Sequence, residues 1–283
     1  MGLLRQIYKI VLDAYRRFND DDGWAIASHI ALSTLTSMFP FLIVVTAIAG
    51  FVGSKDLADE VVRLLLEAWP TQVATPIADE VHKVLTTARA DLLTIGVVLA
   101  IYFASSGIES VRIGLNRAYN GTEGRGWWKL QLESIGYVII GAVALLALAF
   151  LVVLGPLLFA AAVRHALWLE PLSPLVSFLR ITVASLLLIV TLIFVHKWLP
   201  AGRRGLWEIA PGILFTLVGW LLAGEIFGQY LSEFAYTYVS YYAGLASAMI
   251  ALVFLYLTAS IFIFGGELNA AIRDARHERN DQV

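Results

Sequence analysis

No cysteine occurs in this 283-residue chain. Disulfides, thiolate nucleophiles and Cys-ligated metal centres are therefore excluded, and the redox compartment stays open. Charge is scarce as well: Asp, Glu, Lys and Arg make up 15% of the residues, against about a quarter in an average soluble domain. The formal net charge is -2, so no overall basic field draws in nucleic acid, and no basic aromatic surface suits RNA. A Walker-type phosphate loop is missing, which argues against direct ATP drive, and so is a Gly-x-Ser-x-Gly elbow. The five histidines stand at 29, 82, 165, 196 and 277, too scattered for a pair at metal-ligand spacing. The first apolar run lies too deep in the chain for a secretory signal and has no small-residue cleavage pattern. No catalytic, cofactor-binding or metal-ligating residue stands out, so the reading is of a non-enzyme without cofactor.

What remains is apolar bulk. Hydrophobic residues are 59% of the chain and the mean hydropathy is +0.77. A bilayer core about 30 Å thick needs roughly 20 apolar residues in a helix. Six runs meet that length, at about 24–53, 92–112, 133–160, 175–198, 209–231 and 244–266. The expected fold is all-α: a polytopic membrane protein with six transmembrane helices in a domain over 24–270. Before it, residues 1–23 form an amphipathic helix, lying on the membrane surface or packed on the protein's own face, and end in the turn Asp20-Asp21-Asp22-Gly23, which offers N-caps to the first span. Residues 271–283 form a tail. Between spans one and two, 54–91 read as an extracytoplasmic hairpin of two amphipathic helices. The first ends at Trp69-Pro70; the second opens at Thr75-Pro76, where Pro suits the first helical turn.

Lys and Arg give the orientation. Fourteen of the 20 fall in the N-terminal flank, the second and fourth connections and the tail. Six fall on the other side, where the hairpin adds seven acids. Both termini are expected in the cytoplasm, and six spans agree with that by placing them on one side. Trp127, Trp128, Trp168, Trp198 and Trp207 lie near span ends, as interfacial aromatics do.

Polar residues inside the spans are the candidates for function. In span one His29, Ser33 and Thr36 recur at helical spacing, which places them on one face. Pro40 follows a turn later and is expected to kink or break the helix. This stripe is expected to face the domain interior. In span five Glu225 and Gln229 share a face, with Gly224 and Gly228 beside them as a small-xxx-small pair that permits close helix approach. A carboxylate at that depth is costly unless it meets protein or water. It is either a structural hydrogen-bond node or a lining group on a substrate or proton path. Arg180 in span four lies at similar depth, and a buried Arg180–Glu225 ion pair is expected. A second polar group gathers at the cytoplasmic ends: Glu109, Arg112, Asn116, His196, Lys197, Glu267 and Asn269. Structure and solvation are their default roles.

Three stretches, in this order and spacing, resemble the YihY/BrkB family of bacterial inner-membrane proteins, formerly labelled ribonuclease BN. They are Ala31-Leu32-Ser33 through Ser37-Met38-Phe39-Pro40; GIESVRIGLNRAY from Gly107 to Tyr119; and YAGLASAMIALVFLYLTASIFIFGGELNA from Tyr242 to Ala270. Leu199-Pro200 before a basic turn fits as well. The chain departs from the pattern at Ala243, between Tyr242 and Gly244, and at Phe254, where Trp is common. The resemblance implies six spans in the inner membrane and carries the labels ribonuclease and virulence factor. The nuclease label finds no acid or His cluster here to support it.

The leading expectation is a transporter or exporter of a small solute or lipid-like molecule, with a cavity lined by His29, Ser33, Thr36, Pro40, Glu225 and Gln229; a proton-coupled version would use Glu225. The alternative is a non-catalytic envelope scaffold acting through the 54–91 hairpin, and the third is a membrane-embedded enzyme. The partners expected are the lipid bilayer, an unidentified solute or lipid, and a second copy in a homo-oligomer, with no nucleic acid among them.

Overall fold

A computed structural model describes residues 3–52, 90–149, 166–242 and 245–280, with isolated positions between 151 and 163. Among the described residues the chain is all-helical, without strands. Seven α-helices follow in order: α1 (Leu3–Asp20), α2 (Gly23–Val52), α3 (Ala90–Ala118), α4 (Trp127–Ala149), α5 (Ser173–Trp198), α6 (Leu206–Tyr242) and α7 (Ala246–Asn280), with a short 3-10 turn at Leu167–Leu172 before α5. Four segments among the described residues are long and apolar enough to cross a membrane: Thr94–Ala118, Glu170–Trp198, Leu206–Glu233 and Ala246–Glu278. The expected hairpin at 54–91 lies outside the described residues except for its last two.

The helices run longer than hydropathy places them. α6 continues well beyond residue 231, and α7 carries on to Asn280, so most of the expected tail belongs to the last helix. Hydropathy marks only the apolar stretch, whereas the helix goes on for as long as its backbone bonds are made. Pro40 sits inside α2, which is not broken there. Thr36 Oγ1 donates to the Leu32 carbonyl and Ser37 Oγ to the Thr34 carbonyl, both at 2.8 Å. These side chains bond within the turn that Pro40 leaves one N–H short.

α7 is the central element, in contact with α1, α2, α3 and α6, while α2 also packs along α3. The closest approach is glycine on glycine. A Cβ on Gly212 would lie 2.0 Å from the Gly265 carbonyl oxygen, and one on Gly265 would lie 2.8 Å from that of Gly212. Further along the crossing, Gly219 makes room for the Ile261 side chain, whose Cγ2 would lie 2.7 Å from an added Cβ. Small residues that let backbones touch are how helices gain packing contacts in lipid, where burial of apolar area drives little. The expected close pair Gly224 and Gly228 meets no neighbour among the described residues; small spacing marks a permissive face without saying which way the helix is rotated.

The tightest core lies at the end of the bundle that carries both termini. Phe18, Leu115, Leu199, Ile209, Ile263 and Ala270 are all buried there. α5, by contrast, buries little besides Leu192 and His196 and leaves Phe178, Ile181, Leu186 and Val190 exposed. In water so much apolar surface would be untenable, and a hydrocarbon surround removes the cost. α1 packs one face on the protein and leaves another exposed. Ala14 and Phe18 are buried, and Arg17 Nη1 pairs with Asp274 on α7 at 2.9 Å. The stripe Ile7, Val11 and Tyr15 stays exposed, as for a helix resting in a membrane surface. Asp22, with φ 57°, turns the chain and caps α2 through its carbonyl, which accepts the Ile26 N–H at 3.0 Å. Gly23 is required next to it, because a Cβ would meet the Phe18 ring at 2.5 Å and its carbonyl oxygen at 2.7 Å.

Candidate functional site

The polar groups expected at the helix ends converge. Tyr119, one residue past α3, points its hydroxyl between α5 and α7. It lies 3.0 Å from His196 Nδ1 and accepts the Asn269 amide N–H at 3.0 Å. Asn269 Oδ1 in turn accepts the Gly212 backbone N–H at 2.6 Å. With the Tyr119 oxygen accepting from Asn269, the bond between its hydroxyl and His196 Nδ1 runs in the direction that the imidazole tautomer sets. His196 Nε2 has no hydrogen-bond partner among the described residues, and the ring packs 4.9 Å from that of Phe262. Burial pushes the Tyr119 phenol up to about 12, against opposing effects of the Asn269 bond and Arg204, so it stays neutral at physiological pH. The Arg204 guanidinium stacks 4.0 Å over the Tyr119 ring and donates to the Ala201 carbonyl at 2.8 Å; its Nε and Nη1 are buried without a partner among the described residues. Glu267 is fully buried, with the Asp21 carboxyl and Arg17 as its charged neighbours.

Outside this knot the loops after α3 and α5 are tied together. Asn116 Oδ1 accepts the Ala201 N–H at 2.6 Å and its amide donates to Glu123 at 3.2 Å. Arg125 grips Glu123 through Nε and Nη2 at 2.8 and 2.7 Å, and reaches Glu133 at 2.7 Å and the Leu199 carbonyl at 3.1 Å. Hydrogen bonds from Arg125 hold the Glu123 carboxyl down at about 2, against 4.5 ordinarily. A depressed carboxyl stabilises the fold above its ordinary value and loses that contribution as pH falls toward the folded one. Backbone hydrogen-exchange protection of residues 121–126 should therefore hold from neutral pH to about pH 5 and decline between about pH 4.5 and 2. Glu123→Gln should lower the protection at neutral pH and flatten that decline. Equal protection in both proteins at every pH would sever the loop from this carboxylate.

Arg125, Lys197, Arg203 and Arg204 with Glu123 line an open pocket of about 660 Å³ between the two loops. A second cleft runs along the bundle between α2 and α7, lined by Ala25, Ser28, His29, Leu32, Val253 and Tyr256 among others.

The span-one stripe divides. His29 borders the cleft, and its Nδ1 bonds the Ser110 hydroxyl on α3. That hydroxyl donates to the Ser106 carbonyl at 2.9 Å, so His29 Nδ1–H is the donor to it. Ser33 is buried against Gly107. Thr36 is half-buried and bonded to its own helix, and Pro40 is buried. Glu225 and Gln229 do join, with the amide donating to the carboxylate at 2.8 Å, but on an exposed face of α6 between Leu222 and Ile226. Among the described residues no ion pair joins Glu225 to Arg180. Matched depth fixes one coordinate only, and rotation about each helix axis is left open by it. Arg112 is buried and binds Ser134 and the Leu130 carbonyl on α4, each at 3.3 Å, and Glu109 at 3.3 Å. Sequence reasoning missed Tyr119, Arg204 and Glu123 as participants. Their signal was position alone, at the same end as Asn116, His196 and Asn269.

The family model described as Virulence factor BrkB matches residues 14–283. The chain is 24% identical over 260 residues to a Bacillus subtilis protein named "Putative ribonuclease-like protein YfkH", covering 92% of this chain and 94% of that one. It is 26% identical to a UPF0761 membrane protein of Rhodospirillum centenum, covering 100% of this chain and 61% of the relative. To a UPF0761 membrane protein of Tolumonas auensis it is 25% identical, covering 91% and 83%. No solved structure matches it significantly.

Proposed function

The chain is a membrane protein that belongs to the BrkB family, and from that premise we propose that it transports or exports a lipid-like molecule across the bacterial inner membrane. The observation that carries the reading is the α2–α7 cleft. Its walls are apolar, with Leu32, Val253 and Tyr256, and Ser28 and His29 add polar groups to them. Leu32 and His29 are exposed on the bundle's outer face, so the cleft opens where acyl chains lie. An amphiphile could enter it from the bilayer without becoming solvated, its chain on Leu32 and Val253 and a polar group near His29. A small polar solute gains less from such walls.

The proposal includes six spans, α2 through α6 with the segment continuing α4 and with α7, and both termini in the cytoplasm. The distribution of Lys and Arg supports that orientation. It assigns no reaction to the chain. His196 and Glu267 are fully buried, which suits structural groups better than catalysts that must meet a substrate.

Purified protein in liposomes, with a panel of fluorescent lipid analogues, tests the reading. Protein-dependent transfer between leaflets is expected, and Ser28→Phe, which fills the cleft from an exposed position, should slow it by about tenfold or more. Transfer no faster than in protein-free vesicles would defeat the proposal. Glu225→Gln in the same assay decides whether that carboxylate takes part.

A further inference from the structure

We infer that the pocket between the loops after α3 and α5 binds a phosphate oxyanion. Four cations surround it, Arg125, Lys197, Arg203 and Arg204, with Glu123 as counter-charge. Glu123 is already held by both arms of Arg125, so it does not neutralise the others. Arg203 is exposed, and Lys197 lies 4.9 Å over the Trp198 ring. Arg204 is more than nine-tenths buried, and its Nε and Nη1 lack an acceptor among the described residues. Guanidinium and ammonium groups lining one open pocket, two of them at its rim without a carboxylate of their own among the described residues, fit an anion that brings its own oxygens.

The setting narrows the class. Trp198 closes α5 and is half exposed, and Trp127, Trp128 and Trp207 on the neighbouring helix starts are exposed as well. Aromatic residues at helix ends mark the headgroup level of a bilayer. Basic pockets between helices at that level take anionic headgroups. The shared chemistry is a phosphate monoester or diester, carried either by a lipid or by a soluble molecule. This inference deepens the transport reading by naming the polar part of the substrate, and rests on that reading only for the translocation step after binding.

The test measures binding apart from flux. The full-length protein in nanodiscs of phosphatidylcholine, with or without phosphatidylglycerol, is released into detergent and its retained lipids are weighed by native mass spectrometry. Inorganic phosphate is titrated in parallel against Trp198 fluorescence, with Trp198→Phe identifying the signal. Phosphatidylglycerol retained over phosphatidylcholine by about tenfold supports a headgroup site. Saturable phosphate binding without lipid retention supports a soluble source. Either signal should fall by about tenfold in Lys197→Glu/Arg203→Glu, whose positions at the rim leave the core untouched. Arg204→Gln should weaken it too, with unfolding followed separately. Absence of both signals, or signals unchanged in the double variant, overturns the site. Binding without lipid transfer in liposomes would defeat the transport reading and leave the site standing.

Discussion

Gly212→Ala should prevent α6 and α7 from closing on each other and should cause one of the largest losses of stability in the chain. The added methyl would stand 2.0 Å from the Gly265 carbonyl oxygen and 2.5 Å from Asn269 Nδ2. One obstacle is backbone. The other is an amide held at both ends, by the Gly212 N–H and the Tyr119 hydroxyl. Neither can rotate away, so the helices must separate. Overpacking of a tight core costs about 1–3 kcal/mol and more where backbone has to move. Displacement of Asn269 adds the loss of its hydrogen bonds. Thermal unfolding in one detergent should show a clearly lower midpoint, or aggregation on extraction. Gly224→Ala on the same helix is the control: its Cβ meets nothing among the described residues, and alanine favours helix by up to about 1 kcal/mol, so its midpoint should hold or rise. Equal midpoints for Gly212→Ala and the parent would mean that the helices do not cross at Gly212 and Gly265.

The contrast between those glycines shows what the sequence can disclose. Apolar runs locate long helices because the bilayer imposes a minimum length, and α2, α3 and α5 begin within about two residues of where those runs place them. The Asp turn before α2 was equally readable, since turn chemistry is local. Rotation about the helix axis is not local. Gly224 with Gly228 and Gly212 with Gly265 look equally permissive in sequence, and only the path of α7 selects between them. The candidate site follows the same division. His29, Ser33 and Glu225–Gln229 were visible as polar residues in apolar context, but Glu225 lies exposed and, among the described residues, makes no ion pair with Arg180. The Tyr119–His196–Asn269 knot joins residues 77 and 150 positions apart. No spacing rule reaches that far. What could be read was that Asn116, His196 and Asn269 all stand at helix ends on one side.

That knot gives the second large effect. Asn269→Leu keeps the volume of a nearly fully buried side chain and removes two hydrogen bonds at once. The Gly212 N–H loses its acceptor, and the Tyr119 hydroxyl loses its donor while still facing His196. A buried donor left without a partner costs about 1–3 kcal/mol, although double-mutant cycles inside membranes average nearer 0.6 kcal/mol. The bilayer lets an unfolded helix find substitutes, whereas the Gly212 amide here is sealed against Gly265. We therefore expect a loss of about 2–4 kcal/mol for Asn269→Leu. Tyr119→Phe should cost less, since it removes the hydroxyl together with its needs and leaves Asn269 bonded to Gly212. The double variant decides whether the three residues act as a unit. With the hydroxyl gone, Asn269→Leu no longer deprives it of a donor, so the combined loss should fall short of the sum by about 1 kcal/mol. Unfolding of the four proteins in one detergent supplies the cycle. Strict additivity would mean that Asn269 and Tyr119 stabilise α7 independently, and the knot would then be a contact without coupling.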